Sequence, residues 1–108
     1  RIDCDISTLG ATGIETVPEY PVDIPADGKT KVNITAFFRD TYDNPGLDKN
    51  IRWETTGGRF IYKGGITDNH GTCHAILVSD EPADVTVRVF YENIPEEYTE
   101  ANISFISA

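Results

Sequence analysis

Three groups of residues have the types and spacing that chemistry needs. His70, Cys73 and His74 share a five-residue window. Imidazole and thiolate are zinc ligands, and a cysteine beside a histidine is also the start of a nucleophile–base pair. Asp40, Asp43, Asn44 and Asp48 gather oxygen donors in one stretch, the ligand type that calcium takes. Asp23, Asp27 and Asp68 are further carboxylates that a domain junction would add. Asn33-Ile34-Thr35 and Asn102-Ile103-Ser104 are acceptor sequences for N-linked glycans. Plainer readings compete with each. Side chains alternate along a strand, so an inward Cys73 turns His74 outward and the trio does not converge. Asp and Asn are ordinary turn residues and their spacing here matches no EF-hand loop, so no metal is expected and the four remain calcium candidates only. Asn, Ser and Thr also populate solvent-facing strand positions, which leaves Asn33 and Asn102 as glycosylation candidates. The chain has no Gly-x-Ser-x-Gly, no phosphate loop and no His-Glu-x-x-His, so neither catalysis nor a cofactor is expected.

The elements that must position these residues read as strands. Val32, Ile34, Ala36 and Phe38 alternate with Asn33, Thr35, Phe37 and Arg39, the period of a half-buried strand. Ile51 and Trp53 point inward on the next strand, which Gly57-Gly58 ends, and Phe60 points inward on a short edge strand. Cys73, Ala75 and Leu77 alternate against His74, Ile76 and Val78. Val85, Val87, Val89 and Tyr91 alternate against Thr86, Arg88 and Phe90, and Ile103 and Phe105 lie on the last strand. Ile34, Trp53, Leu77, Val87 and Phe105 form the expected core, with Trp53 at its centre. Residues 1–7 alternate Ile2, Cys4 and Ile6 against charged neighbours, and Gly10-Ala11-Thr12-Gly13 breaks that strand. Residues 14–24 are extended, and Pro18, Pro21 and Pro25 confine them to an edge. Short strands with turn signals between them and no helical period imply an all-β antiparallel sandwich of about seven to nine strands. The expected division is an extra N-terminal strand or linker at 1–13 and the sandwich at 14–108.

Composition narrows the partners. The 108 residues carry a formal net charge of −9, and their nine Lys and Arg are scattered. Nucleic-acid binding needs a basic stripe, so it is not expected. No apolar run is long enough for a membrane-spanning helix, so direct insertion is not expected. No signal peptide is visible and Arg1 stands where an initiator Met would, the expectation for a processed chain or an excised piece of a longer one. Phe37, Phe90, Ile76 and Val78 are apolar yet outward, which marks contact with a neighbouring module if they cluster.

The order of the turn and strand signatures resembles a known family. Ala26-Asp27-Gly28, Asp40 through Pro45, Trp53, Thr56-Gly57-Gly58 and Asp68-Asn69-His70-Gly71-Thr72-Cys73 follow the pattern of the bacterial Ig-like domain, group 1, the repeated stalk module of invasin- and intimin-type adhesins. Cys73 replaces the alanine usual at that place. The resemblance implies an immunoglobulin-like sandwich acting outside the cell or at its surface, as a non-enzymatic spacer or adhesion unit. Its partners would be neighbouring Ig-like domains or subunits of the same protein, and a host or cell-surface receptor. In that strand order the first and fifth strands are not neighbours, so a Cys4–Cys73 disulfide is a candidate and not the default. Two alternatives stay open. One is a filament subunit that donates residues 1–13 to a neighbour's sheet edge. The other is an accessory domain of a secreted enzyme, gripping a glycan on Tyr62, Phe90 or Tyr98.

Overall fold

The computed structural model describes residues 7–19 and 22–107. Among them it places eight strands and no helix: β1 (Gly10–Val17), β2 (Asp23–Pro25), β3 (Val32–Arg39), β4 (Ile51–Thr55), β5 (Arg59–Lys63), β6 (Thr72–Val78), β7 (Ala83–Tyr91) and β8 (Thr99–Ile106). Two four-stranded sheets result, ordered β1-β3-β6-β5 and β2-β8-β7-β4. The alternating residues drive the layering, because each strand has one apolar face that only a second sheet can cover. Val32, Ile34, Ala36 and Phe38 are buried on β3, Cys73, Ala75 and Leu77 on β6, and Val85, Val87, Val89 and Tyr91 on β7. Ile34, Trp53, Leu77, Val87 and Phe105 all belong to this one core.

The pairing is antiparallel except at β2, which lies parallel to β8 with Ile24 opposite Phe105. The exception follows from proline chemistry. β1 pairs with β3 as far as Val17↔Asn33. Pro18 has no amide to continue the ladder, and the chain crosses to the free edge of the other sheet.

Two readings of the sequence need correction. Residues 10–13 do not break a strand: Gly10 and Ala11 already pair with Arg39 and Phe38, and the chain passes a bulge between Ala11 and Gly13. The glycines serve the bulge and the close approach of Glu97, whose side chain a Cβ on Gly10 would meet at 2.9 Å. Leu9 just before the strand is fully buried, so a boundary between 13 and 14 cuts through an integral element. Val78, read as outward, is only 1% exposed. The alternation stops there because the turn at 27–30 folds against the end of β6: Gly28 N donates to Ser79 O at 2.9 Å, and Arg59 pairs with Asp80 alongside. The strand expected within residues 1–7, with Cys4, falls almost wholly outside the described residues.

Trp53 joins the two sheets at their open side. β4 and β5 are consecutive in the chain but belong to opposite sheets. Trp53 reaches from β4 to pack edge-on against Phe60 of β5, with ring centroids 6.1 Å apart. Its indole Nε1 donates to Gly64 O at 2.8 Å, just beyond β5. The Cys73 thiol donates to the same carbonyl at 2.9 Å. A side chain on Gly64 would meet His74 O at 2.8 Å and Cys73 Sγ at 3.1 Å, so only glycine brings that carbonyl so close to β6. The buried indole thus has its polar atom satisfied, as burial requires. Trp53→Ala is expected to cost about 3–5 kcal/mol through lost burial and the cavity left behind. Trp53→Phe should lose less, since a ring still fills part of the site. Urea denaturation midpoints measure both, and an unchanged midpoint for the alanine variant would refute the core assignment.

Candidate functional site

The chemistry-bearing residues concentrate in two loops, and their geometry is nearly the same in both. In the loop at 40–44, Asp40 Oδ1 accepts Tyr42 N at 2.8 Å and Asn44 N at 2.9 Å, while Oδ2 accepts Asn44 Nδ2 at 3.2 Å. In the loop at 68–72, Asp68 Oδ1 accepts His70 N at 2.8 Å and Thr72 N at 3.0 Å, while Oδ2 accepts Thr72 Oγ1 at 2.5 Å. The backbone repeats as well. Asp40 N donates to Asn44 O and Asp68 N to Thr72 O, both at 3.0 Å; Asp43 N returns to Asp40 O at 3.1 Å and Gly71 N to Asp68 O at 3.2 Å. The fourth residue of each loop is left-handed, with φ 64° at Asp43 and 74° at Gly71.

Short polar side chains that bind their own downstream amides explain why aspartate begins each loop. The two loops also touch. Phe38 N donates to Gly71 O at 2.8 Å and Gly46 N to Phe38 O at 3.0 Å, so both are tied to the end of β3. A third aspartate works alike before β3: Asp27 accepts Lys29 N at 2.8 Å, Thr30 N at 2.7 Å and Thr30 Oγ1 at 3.0 Å.

These carboxylates are engaged by the protein itself. The Thr30 and Lys29 amides hold the Asp27 carboxyl below its ordinary 3.8. At Asp68 burial pushes the carboxyl up, but the Thr72 hydroxyl, the Thr72 and His70 amides and the His70 charge outweigh it and bring it below 3.8. Asp40, Asp43 and Asp48 do not assemble with one another or with other acids into a metal-holding group, and among the described residues no such group of His, Cys, Asp or Glu exists. His70, Cys73 and His74 are likewise not brought together. His74 Nδ1 meets the Thr35 hydroxyl at 3.0 Å on the outer face of its sheet. Cys73 is buried with a free thiol, which burial pushes up from its ordinary value. Its candidate partner Cys4 lies outside the described residues.

The other candidates are spread over both faces. Asn33 is exposed near the start of β3 on its outer side, and exposed Asn102 accepts the Thr86 hydroxyl at 3.1 Å on the other sheet. Tyr62 is on β5, whereas Phe90 is on β7 and Tyr98 precedes β8, with the Arg88 guanidinium stacked 4.2 Å from the Tyr98 ring centre. The three aromatics therefore belong to two opposite sheets and make no common platform.

Two sheets ordered in this way, with the first strand split between them, define an immunoglobulin-like β-sandwich. Residues 15–106 match the model of the bacterial Ig-like domain (group 1), and the chain belongs to that family. Solved structures agree in fold. The D0-D1 domain of intimin superposes with a TM-score of 0.80 at 19% identity, covering 95% of this chain and 51% of that one. Invasin, described as a bacterial integrin-binding protein, gives 0.71 at 28% identity, covering 94% and 19%. A C-terminal 282-residue intimin fragment in complex with the translocated intimin receptor's intimin-binding domain gives 0.76 at 19%, covering 91% and 33%. The chain thus spans about half or less of the solved chains it matches.

The paired loops make two predictions. Gly71→Ala should cost about 2–3 kcal/mol, because a Cβ would hold φ 74° under strain and sit 2.8 Å from Phe38 O. Asp43→Gly at the matching position should stay within about 1 kcal/mol of the parent, since relief of strain offsets greater freedom in the unfolded chain. Equal effects at the two positions, read from denaturation midpoints, would break the equivalence of the loops. The second prediction concerns acid. A carboxyl lowered in the folded state contributes stability that is complete above the unfolded value of about 4 and lost as pH falls through the folded value. Asp68→Asn should therefore destabilise by about 1 kcal/mol at pH 7, a small figure because the site faces solvent. The difference from the parent should shrink below pH 4. A gap that widens in acid would contradict the assignment.

Proposed function

We propose that this domain is a non-enzymatic structural and adhesion module of a larger cell-surface protein, working as a spacer between other modules. The observation that carries the reading is the path of the chain. It enters at Ser7 and Thr8, beside the loop at 40–44, where Thr41 N donates to the Thr8 hydroxyl at 3.3 Å. It leaves at the far end of β8, where Ala26 N donates to Ile106 O at 2.8 Å. Entry and exit at opposite ends let such modules follow one another in a line. The entry end is the one stiffened by the two aspartate loops. Tyr42 projects from it at 75% exposure while its own amide is held by Asp40. We propose residues 1–6 as the connection to whatever precedes, and Tyr42 as a contact at that junction.

Family membership supports a surface location and neighbouring Ig-like domains as partners. The receptor named in the intimin complex and the integrin binding named for invasin belong to those proteins. A receptor for the protein carrying this domain is part of the proposal. The filament reading is less favoured. β1 is integral from Gly10, with Leu9 buried before it, and so is not free to be donated. The edge strand β5 is also guarded, by Arg59, Lys63 and a bulge between Phe60 and Tyr62. The glycan-gripping reading lacks its aromatic platform. The test uses cells making the full-length protein. An antibody to this domain should bind intact cells, and external protease should abolish that binding. An epitope reached only after lysis would overturn the proposal.

A further inference from the structure

Among the described residues, the sheet containing β8 has a gap in its edge. β2 pairs with residues 104–106 of β8, and no described strand continues beyond it along residues 99–103 on the side away from β7. β1 runs opposite this gap in the other sheet, and a cleft of about 490 Å³ lies between them. Its walls include Ile14, Thr16 and Ala101 within and Glu15, Glu19 and Glu100 at the rim. The unpaired edge runs from the Ala11 N to Glu97 O hydrogen bond, just before β8, to the start of the pairing with β2. Three observations thus coincide: a stretch of strand edge unpaired among the described residues, a half-open cleft beside it, and a rim of one sign of charge. Glu100 pairs with Arg88 at 3.0 Å, while Glu15 and Glu19 have no ion pair among the described residues.

We propose that this cleft binds an extended cationic peptide as an added strand of the β2-β8-β7-β4 sheet, in line with β2. Backbone bonding to residues 99–103 would supply affinity and the side chains specificity. Alternate side chains of the added strand face Ile14, Thr16 and Ala101 and are small and apolar. The others face outward beside Glu100 and Asn102 and are Lys or Arg. Charge also selects the occupant. Residues 1–6 of a second copy read Arg-Ile-Asp-Cys-Asp-Ile, with more acids than bases, and a rim of glutamates repels them. The inference does not depend on the surface role proposed above.

The experiment is an NMR titration of the 15N-labelled chain with a capped heptapeptide alternating lysine and valine, beside its glutamate–valine counterpart. The proposal expects saturable amide shifts confined to residues 14–17 and 99–103, and slowed amide exchange at 99–103, which only strand addition produces. Binding should weaken about tenfold in Glu15→Lys/Glu19→Lys, two exposed positions whose change leaves the fold intact, as expected for rim charges. It should weaken likewise between about 50 mM and about 500 mM NaCl. Shifts scattered over the surface, unchanged exchange at 99–103, or equal response to the acidic peptide would overturn it. So would a chain lacking residues 1–6 that loses a dimer and alone exposes the cleft, because the occupant would then be a second copy.

Discussion

Backbone donors in a loop must find acceptors, and in this domain three aspartate side chains provide them. Asp27, Asp40 and Asp68 each bind two amides and a side-chain donor a few residues downstream. An unpaired amide in a packed turn costs about as much as a lost hydrogen bond, so the carboxylate sets the loop's shape. The loops at 40–44 and 68–72 then meet at the end of β3 through Phe38, Gly46 and Gly71. That meeting sets where β3 ends and β6 begins, and those are the two central strands of their sheet.

At the open side of the sandwich a different constraint applies. β4 and β5 follow one another yet lie in opposite sheets, so no ladder joins them. Trp53 closes that side by packing on Phe60 and donating to Gly64 O, and Cys73 donates to the same atom from β6. The cysteine at the family's usual alanine position thus has a physical account. It is small enough for the core, and its thiol reaches a carbonyl that glycine brings close.

Much of this was legible in the residues. The alternation from Val32 to Phe38 and from Val85 to Tyr91 follows from the strand period, because one face of each strand has to be buried. Trp53 stood out as a large aromatic between two turn signals. What local pattern could not carry was non-local. The burial of Val78 depends on a turn fifty residues earlier, at 27–30. The strand at Gly10–Gly13 depends on β3 supplying a partner for a glycine-rich bulge. The parallel pairing of β2 depends on where the chain crosses between sheets after Pro18. The loop aspartates read as turn residues first and as calcium candidates second, and both uses present oxygen atoms at short spacing. The repeat Asp-x-x-(Asp/Gly)-(Asn/Thr) in both loops was the signal that separates them, because its fourth residue takes positive φ and its fifth returns a side-chain donor to the carboxylate.

The central claim is that the signature carboxylates fix the loops at the entry end by binding the domain's own amides. Amide hydrogen exchange at Tyr42, Asn44, His70 and Thr72 in calcium-free buffer tests it most directly. Slow exchange at all four, approaching that of the β3 amides, is the expected result. Exchange at the rate of open loops, or protection that appears only when calcium is added, would contradict it.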